Sequence, residues 1–282
     1  MSAENPTMRL AVIIPAAGAS TRFAQTAARE LGLAPDAPAR SKLDEDLGGR
    51  PVLQRTVELF QHVPEVASII VAGPADPSSM AAFRDRYADK LGLLGVRICA
   101  GGRDHRYQTV ANALALVPQD CTHVAVHDAA RPCTPAELIA RVIDAAREHD
   151  AVVPGVDVSD TLKRTDPEPV APAARDPLAA ILGVEAQAPV LRRRVAATVD
   201  RNGLVAVQTP QVFRATLLRR AYAQADLSST DDAQLVERLG EPVIVVEGDA
   251  RNLKITRPVD LALARAILGV RPPAERPAHM RF

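Results

Sequence analysis

The sequence has little cysteine, no excess of either charge and no long apolar run. Its three cysteines form no C-x-x-C pair, and their odd number argues against a disulfide framework. Its 34 basic residues balance 34 acidic ones, so the chain lacks the overall basic field of a general nucleic-acid binder. No apolar run approaches the roughly 20 residues that span a bilayer, and the N-terminus lacks the regions of a signal peptide. We therefore expect a cytoplasmic protein with reduced thiols that binds neither nucleic acid nor membrane.

Several catalytic motifs are also absent from the sequence. It contains no G-x-S-x-G elbow, no G-x-x-x-x-G-K-[ST] phosphate loop and no paired C-x-x-C metal site. His123 and His127 have the spacing of strand neighbours, but without a third ligand in view a structural role is favoured over zinc binding. These absences disfavour a hydrolase and a zinc enzyme.

Short β-branched runs alternate with helical patterns along most of the chain, which predicts an α/β fold with a mostly parallel sheet flanked by helices. The predicted strands are Arg9–Ile14, Ser68–Ala72, Val96–Ala100, His123–His127, Ala151–Val156, Val205–Thr209 and Val243–Glu247. The predicted helices are Pro51–Val63, Ser78–Leu91, Tyr107–Val117, Pro135–His149, Thr230–Leu239 and Pro258–Leu268. A chain of 282 residues with 47% hydrophobic residues is long enough for one large domain.

Two stretches interrupt this alternation. They are Ala24–Ser41 and a segment rich in proline, alanine and arginine from Thr165 to Thr198, and both are interpreted as surface insertions. The tail after Gly269 carries three prolines and no apolar periodicity, so residues 270–282 are predicted to be disordered.

Small residues follow the first predicted strand and lead to a cation. This loop consists of Pro15, Ala16, Ala17, Gly18, Ala19 and Ser20, and Arg22 lies two residues beyond it. Backbone N–H groups in such a loop can approach a phosphate chain closely, and a guanidinium adds charge-assisted hydrogen bonds. The pattern indicates a triphosphate cradle, with tight packing of a turn as the alternative.

A carboxylate and a guanidinium, Asp128 and Arg131, follow the fourth predicted strand. Ligands in open α/β sheets gather at the carboxyl ends of strands, and Mg²⁺ in phosphate sites takes its other ligands from phosphate and water. Asp128 is therefore a candidate Mg²⁺ ligand. The alternative is an Asp128–Arg131 ion pair that braces a turn.

Further polar clusters lie near or beyond the ends of later predicted strands. They could hold a second phosphorylated substrate, although each alone is also compatible with a solvated loop. Together they suit a site for two anions, where catalysis is mainly charge neutralisation and positioning. The clusters are Asp157–Arg164, Asp200–Gly203, Gln208–Gln211 and Glu247–Thr256, the last of which contains Lys254.

Eight short segments, in order along nearly the whole chain, form the pattern of a known family. The chain resembles the 2-C-methyl-D-erythritol 4-phosphate cytidylyltransferases of the non-mevalonate isoprenoid pathway. The matching segments are Ile14–Gly18, Ala100–Gly102, Val126–Pro132, Asp160–Arg164, Asp200–Gly203, Thr209–Gln211, Thr230–Ala233 and Asn252–Thr256.

The resemblance implies a fold, a reaction and an assembly. It implies a Rossmann-like nucleotidyltransferase domain over residues 1–269, with a protruding dimerisation arm at about 157–205 that holds the enlarged insertion 165–198. The implied reaction joins CTP and methylerythritol 4-phosphate, with Mg²⁺, into the cytidine-diphospho product and pyrophosphate. The implied assembly is a homodimer in which arm residues complete the partner's site.

The resemblance also implies roles for individual residues. Arg22 and Lys42 would grip the triphosphate as catalytic cations, and Lys254 and Asp128 would meet at the metal and the two phosphates. The cytosine and ribose would be read by Ala100, Gly101, Gly102, Asp104, Arg106 and Thr109. The sugar phosphate would be seated by Arg131, Thr161, Arg201, Thr209 and Thr230, with Thr161 and Arg201 coming from the partner subunit.

The sequence departs from the family pattern near the first loop. Ser20 stands where the family has a second glycine, the stretch between Arg22 and Lys42 is longer than usual, and Lys42 follows Ser41 where the family has proline. A solvated insertion residue is the alternative for Lys42.

Two other functions stay open at this point. A related cytidylyltransferase acting on ribitol 5-phosphate would use the same nucleotide loops and differ in the sugar pocket. A non-catalytic nucleotide-binding paralogue would keep the fold, but it would have no chemical use for Arg22, Asp128, Arg201 and Lys254 together.

Overall fold

A computed structural model of the chain describes residues 7–30, 41–170 and 192–271, apart from the side chains of Arg22, Arg29 and Glu30. The described parts of Met1–Val156 and Val207–Phe282 form one compact unit, and those of Asp157–Ala206 form a second. The second unit coincides closely with the segment interpreted as an arm; its role in assembly stays a prediction.

Ten strands and eight helices are present in the described residues. The strands are β1 (Leu10–Pro15), β2 (Val66–Gly73), β3 (Arg97–Ala100), β4 (His123–Val126), β5 (Ala151–Asp157), β6 (Leu162–Pro169), β7 (Arg193–Val199), β8 (Val205–Val207), β9 (Gln211–Arg214) and β10 (Ile244–Glu247). The helices are α1 (Thr21–Glu30), α2 (Val52–Glu58), α3 (Pro77–Gly92), α4 (Arg106–Leu114), α5 (Ala136–Ala146), α6 (Ala215–Tyr222), α7 (Ala233–Glu237) and α8 (Pro258–Leu268).

The central sheet has the strand order β10-β5-β9-β4-β1-β2-β3. The pairs β1/β2, β1/β4, β2/β3 and β5/β10 are parallel, whereas β9 is antiparallel to both β4 and β5. The predicted α/β fold with a mostly parallel sheet is therefore confirmed.

Strand β1 lies in the middle of the sheet and is buried on both faces. Leu10, Val12 and Ile14 belong to one apolar cluster, and Ala11 and Ile13 belong to the other. This division follows from the alternation of side chains along a strand. Helices therefore cover both faces of the sheet, and the loops at the strand ends are left to form a site.

The order of the strands reverses beside β1. The chain runs from β1 to β2 and β3 on one side and then returns to β4 on the other side of β1. In open α/β sheets such a reversal leaves a crevice beyond the carboxyl ends of the two strands. The loops after β1 and β4 lie at this crevice.

The prediction that Ala24–Ser41 is a surface insertion is partly wrong. Helix α1 occupies 21–30, and Phe23 and Ala27, spaced by one helical turn, are buried. This spacing packs one face of the helix on the core, so the segment is not an irregular surface loop. Residues 31–40 lie outside the described residues.

The second predicted insertion also contains regular structure. Strands β6 and β7 pair antiparallel, with Leu162 opposite Val199 and Lys163 opposite Thr198. Lys163 Nζ donates a hydrogen bond to Thr198 Oγ1 at 2.6 Å. The residues of this hairpin are mostly exposed, as expected for a surface segment, and 171–191 lie outside the described residues. Residues 272–282 of the tail predicted to be disordered also lie outside the described residues.

Two elements near 210 were not predicted. Strand β9 has only four residues and enters the sheet antiparallel, and α6 begins directly after it. A four-residue strand next to Pro210 carries too little alternation to be recognised from the sequence. The predicted strand Val205–Thr209 is shorter in the structure, where β8 covers Val205–Val207. Among the described helices, none has the length and apolar character needed to cross a membrane.

His123 on β4 provides a test of this core. Its side chain is buried, Nδ1 lies 2.8 Å from Thr122 Oγ1, and Nε2 has no hydrogen-bond partner among the described residues. Burial, aided by Arg214, lowers the pKa of His123 to about 4, although Asp150 acts in the opposite direction.

We expect the free energy of unfolding to fall as the pH drops from about 6.5 toward 4, because only the unfolded chain then takes up the proton at His123. The contribution is about 1 kcal/mol per pH unit. Urea unfolding between pH 7.5 and 5 should give a shallower pH dependence for His123→Asn than for the parent. The matched control is His62→Asn at an exposed position, and an equal slope in His123→Asn and the parent would contradict the assignment.

Candidate active site

The loop after β1 forms one wall of a cleft. Strand β1 ends at Pro15, and Ala16 N donates to Ala72 O at 2.7 Å, which ties the loop to β2. Helix α1 then begins at Thr21, so the loop runs into a helix N-terminus. A Cβ added to Gly18 would meet nothing within 4 Å, so this glycine leaves the backbone open to the cleft. Such a loop suits contact between backbone N–H groups and phosphate.

Ser20 closes this loop in a conformation that favours glycine. Its φ is 53°, and its Oγ is buried with no hydrogen-bond partner among the described residues. The strained position is the one where the family pattern has its second glycine, so the departure noted in the sequence has a direct cost.

The loop after β3 forms a second wall. Gly101 N donates to Gly73 O at 2.8 Å, and Gly102 N donates to Thr109 Oγ1 at 3.0 Å. A Cβ at Gly101 would lie 2.6 Å from Gly73 O, and one at Gly102 would lie 2.2 Å from the Cβ of Gln108. Glycine is therefore required at both positions by the close approach of the protein's own chain.

Helix α4 supports the rest of this second loop. Gln108 Oε1 accepts hydrogen bonds from Asp104 N at 3.0 Å and from His105 N at 3.2 Å. Arg106 begins the helix, and its Nη2 lies 2.7 Å from Asp232 Oδ2. The loop and the first turn of α4 are thus held as one piece.

Asp128, two residues after β4, lies between two cations. Its Oδ2 accepts from Arg131 Nε at 3.1 Å and lies 2.9 Å from Lys254 Nζ. Burial alone would raise the pKa of Asp128, but Lys254, Arg106 and Arg131 outweigh it and hold the pKa well below its usual range. The carboxylate is therefore ionised at neutral pH. The ion pair proposed as the alternative does form, and it includes a second cation.

A buried network supports Asp128 from behind. Thr209 Oγ1 accepts from Asp128 N at 3.0 Å and lies 3.1 Å from His127 Nδ1, while His127 Nε2 lies 3.3 Å from Arg131 O. A carbonyl only accepts, so Nε2 carries the proton and Nδ1 accepts from the threonine. Burial lowers the pKa of His127 to about 4, so the ring is neutral. His127 thus fixes the loop that carries Asp128.

Lys254 and Lys42 are brought together by the loop that follows β10. Asn252 anchors this loop: its Nδ2 donates to Thr209 O at 2.9 Å, and its backbone O accepts from Arg131 Nη1 at 2.6 Å. Lys42 Nζ donates to Ile255 O at 2.8 Å. The alternative that Lys42 is a solvated insertion residue is therefore wrong.

These loops enclose a cleft of about 380 Å³. This volume falls within the usual range for small-molecule sites. The predicted site residues that line it are Pro15, Ala16, Ala17, Gly18, Ala19, Ser20, Lys42, Gly102, Asp104, Arg106, Thr109, Asp128 and Lys254. Five residues that were not singled out from the sequence also line it: Leu43, Arg103, His105, Ala129 and Ala130.

Other predicted site residues lie behind or beside the cleft. Arg131 and Thr209 are buried in the network behind Asp128, Gly101 packs under the loop after β3, and Ala100 ends that strand. Thr230 is exposed, and its N donates to Gln234 Oε1 at 2.9 Å. Substrate contact by these residues stays a prediction.

The remaining predicted residues are Arg22, Thr161 and Arg201. Arg22 is the second residue of α1, but its side chain lies outside what the structure describes. Thr161 and Arg201 belong to the second unit. There the pairing of Leu162 with Val199 brings them to the same end of the hairpin, and Arg201 donates to Ser159 O.

The fold and the cleft define a class of protein. A small-residue loop runs into a helix N-terminus at the reversal point of an α/β sheet, and lysines, two arginines and an ionised carboxylate line the same cleft. This is the arrangement of an α/β protein that binds a nucleotide or another phosphorylated ligand.

Comparison with known proteins identifies the family. The family model for 2-C-methyl-D-erythritol 4-phosphate cytidylyltransferase matches residues 10–182 and 179–270. The chain is 39% identical to the enzyme of that name from Frankia casuarinae, over 95% of this chain and 84% of the relative. It is also 39% identical to the one from Acidobacterium capsulatum, over 91% of this chain and 96% of the relative. The chain belongs to this family.

A solved structure supports the same conclusion. The crystal structure of 2-C-methyl-D-erythritol 4-phosphate cytidylyltransferase from Thermus thermophilus superposes with a TM-score of 0.64 at 33% sequence identity, covering 93% of this chain and all of that one. The Rossmann-like nucleotidyltransferase fold expected from the resemblance is thereby confirmed.

The strain at Ser20 leads to a prediction. Ser20→Gly should stabilise the protein by about 0.5–1 kcal/mol, because relief of the positive φ outweighs the larger entropy of glycine in the unfolded chain. The measurement is the free energy of unfolding in urea.

The control for this prediction is Ser79→Gly, which places the same substitution in an exposed turn of α3. It should lower the stability by up to about 1 kcal/mol. A loss of stability in Ser20→Gly equal to that in Ser79→Gly would show that the loop conformation carries no strain.

Proposed function

We propose that this chain transfers the cytidylyl group of CTP to 2-C-methyl-D-erythritol 4-phosphate and releases pyrophosphate, as a step of isoprenoid biosynthesis. The observation that carries the proposal is the single cleft in which the small-residue loop after β1, the loop after β3 and the cations Lys42 and Lys254 face each other. The names of the relatives supply the identity of the two substrates.

In this proposal the loops after β1 and β3 bind the nucleotide. The backbone of Ala16–Ser20 faces the triphosphate, and the positive end of α1 lies beyond it. Gly102, Asp104, Arg106 and Thr109 line the opposite wall and offer backbone and side-chain polar groups to the base and the ribose. The glycines hold this wall close to the first loop, so the spacing between the walls is fixed before the ligand arrives.

The chemical step needs charge neutralisation rather than a base. The acceptor is a phosphate monoester whose second pKa is about 6, so it is largely ionised at pH 7. One of its oxygens attacks the α-phosphorus of CTP, the new P–O bond forms, and the bond to the β-phosphate oxygen breaks as pyrophosphate leaves with the electron pair. Lys42, Lys254 and, at the start of α1, Arg22 stabilise the charge that develops during this displacement.

The residues of the cleft also fit Mg²⁺. In phosphate sites Mg²⁺ is bound by one or two carboxylates and completed by phosphate oxygens and water. Asp128 lines the cleft as an ionised carboxylate, and Arg131 and Lys254 contact its Oδ2. The described residues contain no group of three or more His, Cys, Asp and Glu side chains that could hold a metal by themselves. Asp128 would hold such an ion, which would supply positive charge to the phosphates.

The second substrate would lie beyond Asp128. The family pattern assigns Arg131, Thr209 and Thr230 to it, and the first two of these contact Asp128. We further propose a homodimer in which the second unit of each chain reaches its partner's site. In support, Thr161 and Arg201 lie together at one end of the hairpin. In the same hairpin the apolar residue Val195 is 54% exposed, so it is accessible to a partner.

A cytoplasmic location is proposed from the balanced charge and free cysteines.

The test of this proposal is pyrophosphate release by the purified protein with Mg²⁺ and CTP. Methylerythritol 4-phosphate should support release, and ribitol 5-phosphate should not. Release only with ribitol 5-phosphate would move the assignment to a sibling activity. A folded protein that binds CTP but is silent with both acceptors would be a non-catalytic relative.

Lys42 provides a sharper test of the mechanism. Lys42→Met keeps most of the length of the side chain and removes its charge, and we expect kcat/KM for CTP to fall by about 100-fold or more, as when a charge-stabilising donor is removed. The matched control is Lys90→Met at an exposed position of α3, which should leave kcat/KM unchanged. If Lys42→Met keeps full activity, Lys42 has no part in the chemical step.

A further inference from the structure

A buried carboxylate outside the cleft contacts one of the residues that line it. Asp232 directly precedes α7, and its side chain is fully buried. Its Oδ2 lies 2.7 Å from Arg106 Nη2, and its Oδ1 accepts a hydrogen bond from Tyr222 Oη at 2.5 Å. The three side chains come from α4, α6 and the start of α7, so they join three helical segments behind the cleft.

The contact with Arg106 is chiefly an ion pair. Oδ2 has no hydrogen bond of good geometry among the described residues, so charge attraction accounts for the short distance. Burial alone would lower the pKa of Arg106, but Asp232 outweighs it and holds the pKa above its usual range. A buried carboxylate that lost its cation would be strongly destabilised, so each charge keeps the other in place.

Arg106 has a second carboxylate within electrostatic reach. Asp128 also raises its pKa, though less strongly than Asp232, and Arg106 in turn helps to lower the pKa of Asp128. The guanidinium therefore lies between two negative charges, and the buried one is in direct contact. Without Asp232, Asp128 would still attract the guanidinium, and Asp128 lines the cleft.

We infer that Asp232 is a positioning residue for nucleotide binding: it holds the Arg106 guanidinium against the wall of the cleft, and Tyr222 fixes Asp232 in turn. This inference rests on the proposed function, because Arg106 is assigned to the nucleotide. An arginine side chain has several rotatable bonds, so anchoring it before binding removes much of the entropy cost of ordering it around the ligand.

The test measures CTP binding by calorimetric titration and kcat/KM for CTP in Asp232→Asn. Removing the charge while keeping the shape should weaken CTP binding by about tenfold, since Arg106 is then held by a neutral acceptor. The matched control is Asp226→Asn, the same substitution at an exposed position between α6 and α7. It should leave both quantities unchanged.

A double-mutant cycle separates positioning from a merely structural role. If Asp232 acts through Arg106, the double variant Arg106→Ala with Asp232→Asn should bind CTP no more weakly than Arg106→Ala alone. Additive losses would overturn the inference, because Asp232 would then act by some other route. Should Asp232→Asn fail to fold, Tyr222→Phe keeps both charges and removes one hydrogen bond, and CTP binding about threefold weaker is expected. Binding equal to that of the parent in Tyr222→Phe would then overturn the inference.

The outcomes also distinguish this inference from the proposed function. If the parent protein binds no CTP, the proposed function fails and the inference fails with it. If the parent binds CTP and Asp232→Asn binds it equally well, the proposed function stands and the positioning role of Asp232 is wrong.

Discussion

The site depends above all on the ionised carboxylate of Asp128. A carboxylate whose side chain is only 13% exposed requires nearby cations, and it has Arg131 from its own loop and Lys254 from the loop after β10. The contact with Lys254 joins segments that are far apart in sequence. The position of Lys254, and through Ile255 that of Lys42, therefore follows from the charge on Asp128.

The sheet explains why these loops meet at one place. Strand β1 is central, and the chain places β2 and β3 on one side of it and β4 on the other. The loops after β1 and β4 therefore lie side by side at a reversal point, where no crossover helix fills the space. The neutral imidazole of His127 and the hydroxyl of Thr209 then fix the β4 loop from the interior, so the carboxylate is held by polar contacts on one side and by charge on the other.

The sequence predicts what local patterns encode and misses what long-range contacts decide. The buried β-branched runs of β1, β2, β4 and β5 stand out, and the loops after them could be named as candidate sites because strand ends collect ligands. Helix α1 was missed because its buried side chains among the described residues, Phe23 and Ala27, lie between small and polar residues. Strand β9 was missed because four residues show no period. The role of Asp232 was not visible either, since its partners Arg106 and Tyr222 are defined only by the packing of helices.

Two ion pairs at the cleft, Asp128–Lys254 and Asp232–Arg106, differ in how a ligand can affect them. Lys254 is 41% exposed, so an incoming phosphate can compete with Asp128 for its ammonium group in water-accessible surroundings. Asp232 is fully buried, and moving Arg106 away from it would leave an isolated charge in the interior. Ligand binding is therefore expected to rearrange the Lys254 contact and to preserve the Arg106 contact. In the proposed reaction, Lys254 would therefore move to contact the reacting phosphates. Arg106 would stay in place and recognise the nucleotide.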